Sequence, residues 1–330
     1  MVDLATIHTS NANLPSHLTA VFAGGTSGIG LYTLLALARH CANPTIYFIG
    51  RSQTAATRIL ADLDTTNPAG TYTFLPADVS LLKNVDAVCA HIAAREPHIN
   101  ILCLSQGTMS VGHETAEGMH AAASLVLHSR ARFTLNLLPL LRAAPGLRRV
   151  LSVFTGTKEG PLTAVELQMR GVTNPLKARG QAASAVTLLM EEAGRRAPEV
   201  GLVHTYPGFV KSGIGRDFGV VAKGVGWVVE RVLGKWLYVP VGESGERNLW
   251  LCTSGRFAAA GAGGEEKGVA AAVGTDGSVG SGVYTVDEKG ESGGEAVLQV
   301  LRDLWAQNKD AWVWEEVRKE FLRITGKESM

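Results

Sequence analysis

The sequence predicts an α/β fold: a doubly wound parallel sheet with helices on both faces, built as a single domain with a C-terminal helical extension. Three observations carry this reading. Short apolar runs alternate with helix-period segments as far as about Leu251, with no linker between them. A glycine-rich turn, AGGTSGIG at residues 23–30, joins the first apolar run to the first helical one. The chain has 330 residues, of which 46% are hydrophobic and 18% charged, so it can bury a large core without splitting.

The first strand is residues 18–23, a continuous apolar run of the kind that a strand covered on both faces needs. A helix follows at 31–40. Further strands are predicted at 45–49, 72–75, 99–104, 149–153 and 201–206, separated by helices at 54–63, 82–95, 116–141 and 176–195. Such β-α-β alternation requires a parallel sheet with right-handed crossovers. Residues 225–241 are apolar but broken by Glu230, Arg231 and Lys235, so they read as an amphipathic lid rather than a membrane span. Residues 255–294 contain GAGGEEKG, VGTDGSVGSG and GESGG. They form a Gly-rich excursion, read as a flexible surface loop with one strand-like run at 282–286. In 295–324, Leu298, Leu301, Leu304, Val317 and Phe321 recur at helical spacing, predicting one amphipathic helix or two, packed on the domain or on a second subunit. The domain thus has a core at 18–255, the excursion at 255–294 and the terminal helix at 295–324.

Lys plus Arg is 31 and Asp plus Glu is 30, a net charge of +1 that gives no electrostatic pull toward nucleic acid or a membrane surface. A small-molecule partner is expected. Cys41, Cys89, Cys103 and Cys252 show no C-x-x-C spacing and read as buried thiols of a reducing compartment. The N-terminal residues lack the basic start and apolar stretch of a secretory signal, so a cytoplasmic location is expected. No H-E-x-x-H or paired-cysteine spacing occurs and no metal site is predicted. G-x-S-x-G, the mark of a hydrolase nucleophile elbow, is also missing.

The chemistry is concentrated in the glycine-rich turn. Gly24 permits a tight turn, Gly28 lets the backbone approach a pyrophosphate, and Gly30 allows the helix to pack closely, while the helix N-terminus attracts the anion. Thr26, Ser27 and Ile29 complete this cofactor loop. A dinucleotide is the predicted ligand. The second strand ends before Arg51, where an acidic residue would bind a ribose 2′-hydroxyl; an arginine matches a 2′-phosphate in charge and fork geometry, so NADP is favoured over NAD. Asp78 and Val79, just past the third strand, are placed to meet the adenine.

With these residues in view, the chain resembles the short-chain dehydrogenase/reductase family, especially its retinol-dehydrogenase-like branch, over about residues 18–255. AGGTSGIG is similar to the family's cofactor loop, ADVSLLKNVDAV at 77–88 to its adenine-contacting turn, and YPGFVKS at 206–212 to the P-G motif beside the nicotinamide. The resemblance implies a Rossmann fold in which Pro207, Gly208, Val210 and Ser212 hold the carboxamide side of the ring. LSQG at 104–107 stands where the family has N-N-A-G, so Ser105 and Gln106 depart from the pattern and Gly107 keeps it.

The proton-transfer residues depart further. The family places a Tyr-x-x-x-Lys pair on the helix before the P-G strand, and its usual interval of about 26 residues before Pro207 puts the lysine position at Gln181 and the tyrosine position at Lys177. By the same resemblance Thr155 takes the serine position, with Ser152 the weaker candidate, and His128, five residues before Phe133, takes the asparagine position. Gln181 carries no charge and cannot lower a neighbouring pKa, and losing a general acid removes a factor of roughly 100 to 10,000 in rate. A desolvated Lys177 can itself serve as the acid, with Thr155 hydrogen-bonding the same oxygen.

Three functions remain open. The first is an NADPH-dependent reductase with reassigned proton chemistry acting on a carbonyl, imine or conjugated substrate. The second is a non-redox cyclase, isomerase or dehydratase using Lys177 or His128, and the third is a cofactor-binding module without catalysis. Chains with ARG in place of the tyrosine motif look like oxidoreductases of fungal biosynthetic pathways, which implies an apolar polyketide, terpenoid or alkaloid intermediate beneath a lid at 225–238. In such enzymes the two long helices, 116–141 and 176–195, are the usual surfaces of association, implying a possible homodimer.

Overall fold

The computed structural model describes residues 2–109, 112–162, 167–168, 175–211, 238–262 and 269–330. Their strands form one seven-stranded sheet in the order β3-β2-β1-β4-β5-β6-β7. The first three are β1 (Thr19–Ala23), β2 (Thr45–Gly50) and β3 (Thr71–Pro76). They are followed by β4 (Ile101–Leu104), β5 (Arg149–Val153), β6 (Gly201–Thr205) and β7 (Val283–Val286). Every neighbouring pair is parallel. The six strands predicted in the core stand within two residues of their expected bounds at each end. The strand-like run in the Gly-rich excursion becomes the seventh strand, Val283–Val286, so the excursion contributes an edge strand to the sheet. Its anchor is Tyr284, buried against Phe257, which in turn packs on Trp250. The Tyr284 hydroxyl donates to the Ala258 carbonyl at 2.7 Å.

Alternation along each strand divides the core into two layers. Ala20, Phe22, Ile46, Phe48, Ile101 and Cys103 face one side. That side is covered by α1 (Leu4–Asn11), α2 (Gly28–His40), α3 (Gln53–Thr66) and α7 (Val241–Thr253). Val21, Tyr47, Leu102, Leu104 and Val150 face the other, covered by α4 (Leu82–Ala93), α5 (Ser129–Ala143) and α6 (Pro175–Arg196). A π-helical turn, Ser124–His128, leads into α5. Outside α5 and α6 lie α8 (Glu295–Ala306) and α9 (Lys309–Thr325), the two helices into which the terminal amphipathic segment divides. The break between them is at Asn308, which adopts φ 54. Helices α1 and α7 lack a long apolar period and were not predicted. No described helix is long and apolar enough to cross a membrane. The lid expected at 225–238 lies outside the described residues.

Helix α9 docks on α6 and α5 through Val313, Val317 and Phe321, all fully buried, so the C-terminal segment covers helices that the family resemblance assigns to subunit association. Polar anchors fix it. Arg132 of α5, with a fully buried side chain, pairs with both carboxylate oxygens of Asp86 at 2.6 and 2.7 Å. It also donates to the Lys327 and Glu328 carbonyls and to the Thr325 hydroxyl. On α6, Glu191 accepts from Trp305 Nε1 of α8 at 2.8 Å. Burial raises the Glu191 carboxyl to about 7, a shift opposed by the Trp305 and Thr275 hydrogen bonds and by Arg195, and reinforced by Asp310. In the unfolded chain a glutamate titrates near ~4.3, so between these values the native state binds the extra proton. Stability therefore falls as pH rises from about 4 to about 7 and levels off above that. Glu191→Gln, which keeps the acceptor and removes the ionisation, is expected to gain about 1–3 kcal/mol at pH ~8 and little at pH ~5, measured by urea unfolding at both.

Candidate active site

The strand order reverses between β1 and β4, and in open α/β sheets the crevice at that switch point, beyond the carboxyl ends of the strands, is the ligand-binding edge. The glycine-rich turn lies there. Gly24 and Gly28 take φ of +84 and +60, backbone that side-chain-bearing residues rarely adopt. A Cβ on Gly24 would stand 2.8 Å from the Gln106 nitrogen, and one on Gly30 would stand 2.2 Å from Ser105 Oγ and 2.7 Å from the Gly24 carbonyl oxygen. The β4 loop is thus packed directly against the β1–α2 turn. Ser105 explains the fit: its hydroxyl donates to the Ala23 and Gly24 carbonyls at 3.2 and 3.3 Å, so the residue that replaces a family asparagine ties the two loops together. Ser27 is the N-cap residue of α2, whose first residues are Gly28, Ile29 and Gly30. The N–H groups of that turn are the anion-binding end of the helix.

The remaining cofactor candidates surround this crevice. Thr26 packs against Gly50, where any Cβ would lie 2.5 Å from the threonine side chain, and the next residue is the exposed Arg51. Among the described residues Arg51 has no carboxylate partner. Asp78 caps its own turn, accepting from the Ser80 N–H at 3.0 Å, and Val79 is buried beneath it. Gly107 is exposed, with open space where a side chain would be. Pro207 and Gly208 follow β6, with Gly208 at φ +73 close to Val239 and Glu288, and Val210 bridges to Val239. Tyr32 of α2 donates to the Lys211 carbonyl at 2.8 Å, joining the cofactor helix to the P-G loop. Ser212 lies outside the described residues.

The four proton-transfer candidates sit on three elements: Thr155 in the loop after β5, Lys177 and Gln181 on α6, and His128 in the π-helical turn. Thr155 follows β5 at the carboxyl edge of the sheet, 7% exposed, with a hydroxyl that has no hydrogen-bond partner. Gln181 is held nearby on α6, because Gly160 N–H donates to the Gly180 carbonyl at 3.0 Å and Ser184 Oγ bonds both N–H and carbonyl of Gly160. The backbone of Lys177 is in the first turn of α6, and its side chain is outside the description. His128 is elsewhere. It is fully buried at the end of the π-helical turn, bonded through Nδ1 to the Ala123 carbonyl and packed edge-on to Phe321 of α9. Helix α9 lies beside it, and burial lowers its pKa.

Two buried groups that sequence reasoning missed lie under the site. Arg130, 4% exposed, donates to the Leu104 carbonyl at 3.0 Å, to Ser152 Oγ at 2.7 Å and to the Gln106 carbonyl at 2.6 Å, holding the ends of β4 and β5 together. Burial lowers its pKa to about 9. It gives Ser152 a structural partner, which leaves Thr155 as the free hydroxyl of the pair. On the next strand His204 is fully buried and aligned in register with Ser152 on one side and Thr285 on the other. Its pKa falls to about 3, first by burial and then by Arg130, so the ring is neutral. The sequence signal for His204 is a polar residue inside an otherwise apolar strand, GLVHT, flanked by Ser152 in RVLSV and Thr285 in VYTV, whereas Arg130 lies on α5 and carries no such signal.

A separate grouping, His8, His40 and Glu246, brings three metal-type ligand atoms within 4.8 Å of one another. Glu246 already accepts from Arg39 at 3.2 Å, His40 at 3.0 Å and the buried Asn11 at 2.7 Å. It fastens α1 to α2 and α7. The four cysteines are buried and unbridged.

Sheet order, switch-point crevice and glycine turn define a dinucleotide-binding α/β protein of the Rossmann type. The chain belongs to the short-chain dehydrogenase/reductase family. It is 37% identical over 302 residues to the oxidoreductase AN1596 of Emericella nidulans, covering 88% of this chain and 90% of that one. It is 32% identical to the oxidoreductase andH of Emericella variicolor, covering 94% and 93%. A short-chain dehydrogenase/reductase of Stachybotrys chartarum, SAT2, is 31% identical over 64% of this chain and 66% of its own. No protein-family model matches the chain. Among solved structures, the NADP complex of Pseudomonas aeruginosa RhlG superposes with a TM-score of 0.57 at 17% identity over 73% of this chain and 91% of that one. A 3-oxoacyl-(acyl-carrier-protein) reductase of Agrobacterium tumefaciens with NADP bound superposes with a TM-score of 0.56 at 20% identity over 76% and 92%. These likenesses show the fold.

Proposed function

We propose that the chain is an NADP(H)-dependent oxidoreductase, cytoplasmic, acting on an apolar secondary-metabolite intermediate that bears a carbonyl, imine or conjugated double bond, with proton-transfer residues unlike the family's usual set. The observation that carries the reading is the turn at Gly24, Gly28 and Gly30 at the switch point: two of its glycines take positive φ, and it packs on Ser105 and Gln106 too closely for a Cβ on Gly24 or Gly30. Arg51, exposed and next in sequence to the Gly50 that packs on Thr26, suits a 2′-phosphate. Support comes also from the fungal relatives named oxidoreductases and from the NADP complexes that share the fold.

When bound, the nicotinamide supplies a hydride. Around it, Pro207, Gly208, Val210 and Ser212 would hold the carboxamide side, Ser105 and Gly107 the β4 wall, and Asp78 and Val79 the adenine. The Thr155 hydroxyl, without a partner in the protein, would donate to the substrate oxygen. Lys177 would deliver the proton that Gln181 cannot assist, a division of roles suited to a substrate already polarised toward hydride.

The test is a fluorescence titration with NADPH and NADH beside turnover of a panel of quinones, ketones and imines. Arg51→Ala is expected to weaken NADPH by about tenfold or more while sparing NADH, as loss of a charge-assisted contact worth roughly 1.5–3 kcal/mol implies. Lys177→Ala is expected to leave NADPH affinity intact and to abolish turnover. Wild-type protein that binds neither nucleotide would refute the proposal. Product formation without nucleotide would favour a non-redox isomerase or dehydratase, the reading that Gln181 at the family's lysine position supports.

A further inference from the structure

Glu159 has no part in the reading above, yet it is the most heavily engaged buried acid near Thr155. Its side chain is fully buried, and burial raises its carboxyl. One oxygen, Oε1, accepts from the Thr187 hydroxyl at 2.8 Å and the Thr285 hydroxyl at 2.6 Å. Each threonine continues the chain of bonds to a backbone N–H of the loop after β5. Thr285 Oγ1 accepts from the Thr157 N–H at 2.7 Å. Thr187 Oγ1 lies 2.8 Å from His204 Nδ1, and His204 Nε2 accepts from the Thr155 N–H at 3.2 Å. The last bond settles the tautomer: a neutral ring that accepts at Nε2 carries its proton on Nδ1 and donates it to Thr187, whose own proton goes to Glu159.

The loop so held is under backbone strain. Thr157 has φ +64, rare for a β-branched residue, and a Cβ on Gly156 would be 2.2 Å from the His204 carbonyl oxygen. Strained loops persist only where their surroundings over-determine them. Here two converging hydrogen-bond chains do so, and both end on a single carboxylate oxygen.

We propose that Glu159 is the positioning residue of the reaction centre: acting through Thr187–His204 and through Thr285, it holds the backbone at Thr155 and Thr157 so that the unpartnered Thr155 hydroxyl is presented to the substrate oxygen. The inference rests on the proposed oxidoreductase function for the role of that hydroxyl, and on the geometry alone for the clamp.

Two readouts test it. The first is hydrogen exchange at the Thr155 and Thr157 amides. Thr187→Val, which keeps shape and removes the hydroxyl, is expected to speed exchange at Thr155 at least tenfold and leave Thr157 protected. Glu159→Leu is expected to release both, and Glu159→Gln, which keeps an acceptor oxygen, to release neither. Unchanged exchange in Thr187→Val and Glu159→Leu would overturn the clamp.

The second readout is NADPH oxidation with 9,10-phenanthrenequinone as the probe carbonyl. Thr187→Val is expected to lower kcat about ten- to a hundredfold with NADPH affinity unchanged, because small displacements of a positioned donor cost that much. Thr187→Ser is expected to return within about threefold of wild type. Adding Thr155→Val to Thr187→Val should produce almost no further loss, whereas additive losses would refute the coupling. Wild-type protein that does not oxidise NADPH with this probe while the exchange pattern holds would remove the catalytic role and the oxidoreductase reading, and leave the clamp standing as structure.

Discussion

Gly30→Ala is expected to reduce NADPH affinity by about a hundredfold or more and to lower stability by about 1–3 kcal/mol. The added methyl would stand 2.2 Å from Ser105 Oγ and 2.7 Å from the Gly24 carbonyl oxygen. A serine hydroxyl can rotate away, but the carbonyl belongs to a turn whose Gly24 and Gly25 N–H groups are both bonded to Ile49 at 3.1 Å. Relief must therefore come from moving the first turn of α2, which is the part that would meet the pyrophosphate. The double variant Gly30→Ala/Ser105→Gly removes one of the two clashes. It is expected to recover stability in part and NADPH affinity hardly at all, read by fluorescence titration and by thermal unfolding. Full recovery of affinity would show that the hydroxyl, and not the backbone, sets the close approach.

Arg132→Leu is expected to cost about 2–4 kcal/mol, somewhat less than breaking a fully buried ion pair from one side, because Asp86 keeps 24% of its side chain exposed to water. Asp86 would lose both of its short bonds to the guanidinium, keeping only the Asn136 amide at 2.8 Å, and the carbonyls of Lys327 and Glu328 would lose their donor. Chemical denaturation measures the loss, and limited proteolysis locates it, with early cleavage expected after Thr325. The double variant Arg132→Leu/Asp86→Leu removes both charges and is expected to regain most of the stability, since what costs energy is the stranded carboxylate. If it stays as unstable as the single variant, packing of the arginine over Phe321, 5.1 Å away, is the larger contribution.

The fold was legible because its signals are local. Continuous apolar strands, turn glycines and helix period are each written in a few neighbouring residues, and the sheet contains all six strands predicted in the core. What escaped depends on partners distant in sequence. Helix α1 is held by Asn11 and His8 on Glu246, and α7 by Gly245, where a Cβ would be 2.6 Å from the Tyr32 carbonyl oxygen. Neither segment announces this alone. The same distinction runs through the site. The glycines of the cofactor loop could be read from their spacing, because backbone conformation is a local property. Arg130 on α5, His204 in β6 and Glu159 in the loop after β5 could not, because the role of each depends on partners distant in sequence. His128 is a position inferred by counting along the helix, and the terminal helix packs Phe321 edge-on against it, a neighbour that counting could not supply.

The final strand and final helices are structural members of the first-formed layers, and this orders the birth of the protein on the ribosome. While β6 is emerging, its outer edge presents unpaired N–H and C=O groups until residues 283–286 arrive, some eighty positions later. The buried guanidinium on α5 waits longer still, with its last acceptors at residues 325–328. Nascent chains thus carry an open sheet edge for about a quarter of the chain's length and an uncovered helical face for about half of it, and shortened products ending before residue 325 are expected clients for chaperones and proteases.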